Sequence, residues 1–355
     1  MNGKTGFGGL AAALALSRIF SEAACLPGGS AGYGMQRFTV TVLSFLVLGA
    51  AYIPLLISLR RSGGSSPVAV IAGRSKLLSG FVGVILSVLL LLCGAETGMR
   101  SHYYAAATVF DSAPSVYFCV LTGAALLFAV HKGLEASTRT AVFAAAGLGV
   151  LMLLIFAALL PDIRLNRLYP ALADEPETLL AETAAEFSQN CELLIFTALC
   201  GRVNGKSGRT VPLYLGASCL ALLFMTFMYN TVFGRLTDLL ALPFYTLSSV
   251  SDITLLHRIN GIDAMVWVTA GILRLTLAAL AFREVVRECF TRGRAADISA
   301  LVFAAVSVAL SELFTAHPEY FAVPSRLLSS GVPLLAAAVL LPLLSLVCMG
   351  KERKA

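Results

Sequence analysis

The chain has 355 residues, of which 58% are hydrophobic and only 13% are charged, and its mean hydropathy is +0.84. A soluble domain needs a more polar surface, so this composition excludes an ordinary soluble protein and indicates a polytopic membrane protein. The net charge of +6 is dispersed among loops, which argues against a nucleic-acid partner.

Apolar runs of about 20 residues, long enough to cross the hydrocarbon core of a bilayer, recur ten times along the chain. The fourth run is short, and the sixth is interrupted by the stretch EFSQNCE. We therefore predict an all-α integral membrane protein with one polytopic domain over residues 1–355. The predicted spans are 7–27, 38–59, 77–99, 114–130, 140–160, 183–201, 211–233, 261–282, 298–315 and 329–349.

Lysine and arginine between the spans predict the orientation. Seventeen of them fall in the N-terminus, the alternate loops and the C-terminus, whereas the opposite loops hold six. Because short cytoplasmic loops are enriched in these residues, both termini are predicted to be cytoplasmic. Two external segments, 161–182 and 234–260, are long. The first is expected to follow the membrane surface. The second is expected to form a re-entrant or interfacial helix, and the alternative is a structured loop.

Ten spans divide into five plus five, which predicts an inverted repeat with discontinuous helices 1 and 6. The first repeat would cover about 7–160, and the second would cover about 183–315 together with 329–349. Both helices carry polar stretches inside apolar spans, SRIFSE in the first and EFSQNCE in the sixth.

Arg18 and Glu22 of the first span are four residues apart, so a helix places them on one face with Ser21. An unpaired charge at the bilayer centre costs ~3 kcal/mol on insertion scales, so both must face the protein interior or water. They are predicted either to line a cavity that binds a zwitterionic ligand or to form a structural ion pair between helices.

Gln189, Asn190 and Glu192 of the sixth span form a second polar group. Such side chains can satisfy backbone groups where a helix unwinds at a binding site. The other interpretation is that helix six begins at Asn190 and that this stretch caps it.

Two further charges lie inside the predicted spans. Arg274 lies deep in the eighth span and needs an acidic partner, for which Glu96, Glu22 and Glu192 are candidates. Glu96 has a simpler alternative, which is to pair with Arg100 near the outer end of the third span.

The remaining polar residues predict neither metal binding nor enzymatic chemistry. The eight cysteines are scattered through apolar segments without paired spacing, so we expect small buried side chains rather than disulfides or zinc ligands. The four histidines fall at span ends or in loops, which favours interfacial positions over a metal site. No phosphate loop, nucleophile elbow or paired-carboxylate motif stands out, so no cofactor is expected.

The stretch KGLEASTRTAVFAAAGLGVLMLLIFAALLPDIRLNRLYPAL, residues 132–172, is similar to the segment around helix five of the spore germination permeases. CELLIFTALCGRVNGK, residues 191–206, is similar to the family's helix-six segment, where a Glu matching Glu192 begins an apolar run. HRINGIDAMVWVTAGILRLTLAALAF, residues 257–282, resembles the helix-eight signature of the same family. In this chain the residues at the signature positions are Arg258, Trp267 and Arg274.

That family supplies the B subunit of endospore germinant receptors, in the amino acid, polyamine and organocation transporter superfamily. The resemblance implies a ten-helix inverted-repeat fold in the spore inner membrane. It also implies assembly with an A-type subunit and a C-type lipoprotein, and sensing of a small nutrient such as an amino acid. Many relatives carry a Gly-x-Gly break in helix one, where this chain has Phe20, Ser21 and Glu22, although Pro27 is kept.

Three functions remain open from the sequence. The first is a nutrient-sensing receptor subunit whose ligand binds between helices one and six. The second is a proton-coupled secondary transporter of amino acids or polyamines, with Glu22 or Glu192 as the proton carrier. The third is a ligand-free scaffold that only holds partner subunits.

Overall fold

Helices form most of the chain in this computed structural model, which describes residues 4–24, 35–108, 115–169, 176–205, 207–240, 242–251, 259–290 and 293–350. The helices before residue 170 are α1 (Phe7–Ala23), α2 (Met35–Arg61), α3 (Pro67–Arg74), α4 (Lys76–Thr108), α5 (Ser115–Lys132) and α6 (Leu134–Leu159). Those that follow are α7 (Pro176–Ser188), α8 (Glu192–Leu199), α9 (Thr210–Val232), α10 (Pro243–Val250), α11 (Ile259–Cys289), α12 (Arg294–Ala316), α13 (Pro318–Ser329), α14 (Val332–Leu335) and α15 (Leu341–Gly350). A π-helical turn at Ala336–Leu340 joins the last two.

Within the described residues, seven helices are long and apolar enough to cross a membrane. They are α2, α4, α6, α9, α11, α12 and the joined α14 and α15. The apolar helix α5 is shorter, α1 has 17 residues, and helix six is divided into α7 and α8. The multi-pass architecture is thus observed, whereas the count of ten spans, the inverted repeat and the position of the termini stay predictions.

The predicted break in helix one is wrong for the stretch SRIFSE. Helix α1 runs continuously through Arg18 and Glu22 and ends at Ala23. It does not unwind there because the polar side chains find partners on other helices, which leaves the backbone hydrogen bonds of α1 in place. Pro27 of the same predicted span, and Arg258 of the helix-eight signature, lie outside the described residues.

Helix six is interrupted at its polar stretch. Helix α7 ends at Ser188, α8 begins at Glu192, and the three residues between them are not helical. The interpretation that helix six simply begins at Asn190 is therefore wrong, because a helix of 13 residues precedes the break.

Helix α1 lies in the middle of the fold, in contact with α6, α8, α9 and α11. A two-residue parallel ladder pairs Thr5 with Val203 and Gly6 with Asn204, and it joins the start of α1 to the chain just after α8. At the other end of α1, its polar residues meet the stretch between α7 and α8. Helices α1 and α8 therefore run antiparallel along each other.

The two long external segments contain short helical elements. The first holds two 3-10 turns, at Leu160–Asp162 and Leu165–Leu168, and the beginning of α7. The second contains α10, whose Phe244 is fully buried and packs edge-on against Trp267, with ring centroids 5.3 Å apart. A hydrogen bond from Ser248 to Asp263 (3.0 Å) also connects α10 to α11, and Asp263 accepts a second bond from Trp267 (2.7 Å) within α11. A plain loop is thus the wrong interpretation of this segment.

Candidate functional site

The break in helix six is stabilised by the side chain of Asn190. Its amide nitrogen donates hydrogen bonds to the carbonyl oxygens of Glu186 (3.2 Å) and Phe187 (3.0 Å). These carbonyls lie in the last turn of α7, where the usual i+4 donors are replaced by the backbone N–H groups of Gln189 (3.3 Å) and Asn190 (3.1 Å). The amide oxygen of Asn190 accepts from Arg18 Nε (3.1 Å) and from the Tyr214 hydroxyl (3.2 Å). Asn190 thus performs the role predicted for this polar stretch, which is to bind backbone groups at the helix break.

Arg18 brings α1 to this break. Its side chain is fully buried and forms an ion pair with Glu186 at the end of α7. Its Nη1 atom donates to Ser21 Oγ at 2.9 Å, and Ser21 in turn donates to the Arg18 carbonyl at 2.7 Å. The guanidinium thus has hydrogen-bonding or ionic partners on α1 and at the break, as a buried charge requires.

The predicted pairing of Arg18 with Glu22 is the weaker part of a larger ionic network. These two side chains approach only to 4.0 Å, whereas Glu22 lies 2.5 Å from Arg37 of α2. Arg37 also lies 3.4 Å from Glu186, which is the partner of Arg18. The pairs between helices are thus closer than the pair within α1, because Arg18 points to Glu186 and Glu22 points to Arg37.

Arg274 of α11 contacts residues at the same break. Of its three candidate partners the structure selects Glu192, whose Oε1 atom lies 3.4 Å from Arg274 Nη1. Arg274 also donates to the Ser17 carbonyl and to Cys191 Sγ, both at 2.8 Å. Ser17 Oγ donates to Glu192 Oε1 at 2.6 Å. The start of α8 is thereby connected to α1 and α11.

Three buried polar atoms beside the break have no hydrogen-bond partner among the described residues. They are Glu192 Oε2, Arg274 Nε and the Tyr52 hydroxyl. Tyr52 of α2 packs edge-on against Phe196 (5.9 Å) and Tyr214 (6.2 Å), which places it next to the same stretch. Unsatisfied buried polar atoms cost about 1–3 kcal/mol each, so this group of one acceptor and two donors is suited to bind a small polar molecule.

Glu96 is separated from the break by Arg100. Arg100 Nη2 donates to Glu96 Oε1 at 2.7 Å and to Gln189 Oε1 at 2.9 Å, and its Nη1 donates to the Ser21 carbonyl at 3.0 Å. The simpler prediction for Glu96, pairing with Arg100, is therefore observed. Gln189 binds this arginine at the edge of the site.

All eight predicted site residues thus lie in or beside one buried cluster, which we call the central site. Sequence reasoning missed several residues that hold it together, among them Glu186, Arg37 and Tyr214. Glu186 stood in the quoted stretch EFSQNCE, and its charge inside a predicted span was a usable signal. Arg37 and Tyr214 gave no local signal, since a charge near a span end and a tyrosine in an apolar helix are both ordinary.

The central site has balanced charge. Its arginines are Arg18, Arg37, Arg100 and Arg274, and its glutamates are Glu22, Glu96, Glu186 and Glu192. Four cations and four anions leave no formal excess within the cluster. Such a site is better suited to a neutral or zwitterionic molecule than to an ion, since either sign of net charge would upset the balance.

Solved transporter structures share this fold. A Na+-coupled sialic acid symporter, solved substrate-bound and outward-open, matches with a TM-score of 0.64 at 12% identity, over 93% of this chain and 78% of that one. Mhp1, a nucleobase-cation-symport-1 family transporter closed around bromovinylhydantoin, matches with 0.64 at 13% identity, over 99% and 94%. The Eremococcus coleocola manganese transporter matches with 0.52 at 10% identity, over 96% and 76%. The molecule is therefore a multi-pass membrane protein with a transporter-type fold.

The family of this chain is established by a match between its sequence and a family model. The chain belongs to the spore germination protein family, the spore permeases, whose sequence model matches residues 40–317. Among curated proteins, no sequence matches this chain. The transporter-type fold agrees with placing the family in the amino acid, polyamine and organocation superfamily, and the spore inner membrane is consistent with this membership.

Proposed function

We propose that this protein is the B-type subunit of a spore germinant receptor. It senses a small zwitterionic nutrient, such as an amino acid, in the central site and signals to an A-type subunit and a C-type lipoprotein in the spore inner membrane. Membership of a spore permease family, which acts with other subunits in germinant receptors, supports this role. The transporter-type fold supplies a helix break of the kind that binds small substrates.

The unpartnered atoms beside the break carry the proposal. A ligand carboxylate would accept hydrogen bonds from Arg274 Nε and the Tyr52 hydroxyl, and a ligand ammonium would donate to Glu192 Oε2. An amino acid supplies both groups on one carbon atom and adds no net charge to the balanced cluster. Its charge-assisted hydrogen bonds would satisfy atoms that the protein leaves unsatisfied.

Binding at this position would couple directly to the arrangement of helices. Glu192 begins α8, and it also binds Ser17 of α1 and Arg274 of α11. Because Glu192 and Arg274 are almost fully buried, the ligand can enter only when α1, α8 and α11 move apart. A ligand that binds open and closed arrangements with different affinity then shifts the population between them, and partner subunits can detect this shift.

The test uses spores that carry Glu192→Gln at normal protein level. We expect the germination dose response to shift to at least tenfold higher nutrient concentration, because the amide loses the charge that meets an ammonium. The matched control is Glu135→Gln, which breaks an exposed pair with Arg139 on α6 and should leave the dose response unchanged. An unchanged response in Glu192→Gln would contradict the site assignment.

Transport is the second candidate, and the fold shared with coupled transporters favours it. Purified protein in proteoliposomes distinguishes the two functions. Saturable binding without sustained uptake of a radiolabelled amino acid supports the sensor, whereas pH-dependent uptake supports a proton-coupled transporter. Absence of both binding and uptake across an amino acid panel would favour the scaffold.

A further inference from the structure

A second cluster of reactive side chains lies outside the central site. His102 of α4, Cys119 of α5 and Glu312 of α12 each offer one ligand atom, and these atoms all lie within 4.8 Å of one another. His102 Nδ1 lies 2.9 Å from Glu312 Oε1, and Cys119 Sγ lies within 4.8 Å of both side chains' ligand atoms. These three residues are far apart in the sequence, so their spacing gave no signal of a common site.

The helix packing next to the cluster is unusually close. A Cβ atom added to Gly94 would lie 2.7 Å from the ring of Phe303, and one added to Gly98 would lie 2.7 Å from Ser311 Cβ. Gly98 is one turn before His102, and Ser311 is the residue before Glu312. The backbones that carry His102 and Glu312 are therefore held at a fixed separation, which is the preorganisation that a metal site requires.

The three side chains are not enclosed by the protein. The side chains of His102 and Glu312 are 13% and 31% exposed, and that of Cys119 is half-buried. The imidazole of His102 packs against Phe118, with ring centroids 5.0 Å apart, which restricts its rotation. Among the described residues, no protein group would have to move aside for an ion to enter the cluster in the way that a fully buried site requires, and the ring already faces its neighbours.

We propose that His102, Cys119 and Glu312 form a binding site for a divalent transition metal, with Zn2+ as the best fit. Imidazole, thiolate and carboxylate are the three ligand types that Zn2+ uses, whereas Mg2+ and Ca2+ require sets of oxygen atoms. Ligands about 2.0–2.3 Å from a tetrahedral zinc lie roughly 3.3–3.7 Å apart, so small side-chain rotations would close the site. Binding would release the thiol proton of Cys119 to solvent and leave one coordination position for water.

A metal in this position would connect α4, α5 and α12 at a single point. Any ligand that binds only the folded protein stabilises it in proportion to the logarithm of its concentration over Kd. Zinc would therefore raise the thermal stability of these packed helices without contact with the central site.

The test is metal titration of the purified full chain in detergent. We expect one Zn2+ per chain in competition with a chromophoric chelator, and a thiolate-to-metal charge-transfer absorption when Co2+ replaces zinc. The variants Cys119→Ser, His102→Ala and Glu312→Gln should each weaken zinc binding at least about tenfold, and Cys119→Ser should abolish the absorption. Melting temperatures measured with chelator present show whether each variant is folded.

Two control variants match the chemistry of the test. His317→Ala removes the histidine of a second pair, in which Nδ1 lies 3.2 Å from Glu319 Oε1, and Cys219→Ser removes a half-buried cysteine of α9. Both should bind zinc as the wild type does. A wild-type protein without stoichiometric zinc binding or the cobalt absorption would show a metal-free hydrogen-bonded cluster and overturn the proposal. Equal zinc affinity in the three site variants and the two controls would also overturn it.

Discussion

Arg18 is the residue on which the central site depends most. Its buried guanidinium contacts Glu186, Asn190 and Ser21, so one side chain connects α1 with the residues on both sides of the α7 terminus. A buried ion pair contributes little net stability relative to apolar packing, but removal of one partner leaves an uncompensated charge. The consequence is that substitution of Arg18 should be costly.

We predict that Arg18→Gln lowers the free energy of unfolding by about 3–5 kcal/mol, because Glu186 then remains buried without its closest partner. Chemical denaturation of the purified chain in mild detergent measures this loss. The matched control is Arg139→Gln, since Arg139 is 75% exposed and forms a 2.6 Å pair with Glu135. That change should cost no more than about 1 kcal/mol. Similar losses in the two variants would contradict this assignment.

Most residues of the central site could be predicted because polar groups are rare inside apolar spans. Arg18, Glu192 and Arg274 stand out on that ground alone, and the requirement for partners brings them together. The particular pairs could not be predicted, because they depend on how α1, α8 and α11 are placed around one another. Tyr52 is an example, since its hydroxyl matters only through its position beside the break.

At the scale of elements, the contact between α4 and α12 is a closely packed feature of the fold. It rests on Gly94 and Gly98, which are four residues apart and lie on one face of α4. Small residues with this spacing allow membrane helices to approach closely, where packing and not water exclusion drives association.

A single methyl group added to α4 at this contact should force α4 and α12 apart. We predict that Gly98→Ala lowers the melting temperature of the purified protein, because its Cβ would lie 2.7 Å from Ser311 Cβ, and overpacking costs about 1–3 kcal/mol. Gly147→Ala on α6 is the matched control, since a Cβ there meets nothing within 4 Å. Its melting temperature should equal or slightly exceed that of the wild type. A melting temperature of Gly98→Ala as high as that of the control would contradict the packing argument.

Hydropathy predicted the positions of the long helices, and the polar stretch predicted the break in helix six. The ends of the helices differ from the predicted ends of the spans. Helix α4 continues to Thr108 and α11 continues to Cys289, because a helix can extend beyond the apolar run into the interface. The ladder between Thr5–Gly6 and Val203–Asn204 could not be predicted. Two-residue strands carry no periodic signal, and this pair forms only once α1 lies against α8.

At the scale of the whole molecule, the antiparallel arrangement of α1 and α8 supports the proposed inverted repeat. An inverted repeat relates the first helix of each half by a two-fold axis in the membrane plane, so corresponding helices run in opposite directions. Here the ladder joins the start of α1 to the end of α8, and Ser17 binds Glu192 at the start of α8. The charge-balanced cluster lies at this junction, where the proposed ligand would contact helices of both predicted repeats.

The most direct test of this account is equilibrium binding of one amino acid, its decarboxylated amine and its deaminated acid to the purified protein. We predict that an amino acid binds at least about tenfold more tightly than either analogue, because only the zwitterion meets Glu192, Arg274 and Tyr52 without adding net charge. Glu192→Gln should remove this preference, and Glu135→Gln should retain it. Equal affinity for the three compounds, or an unchanged preference in Glu192→Gln, would contradict the central claim.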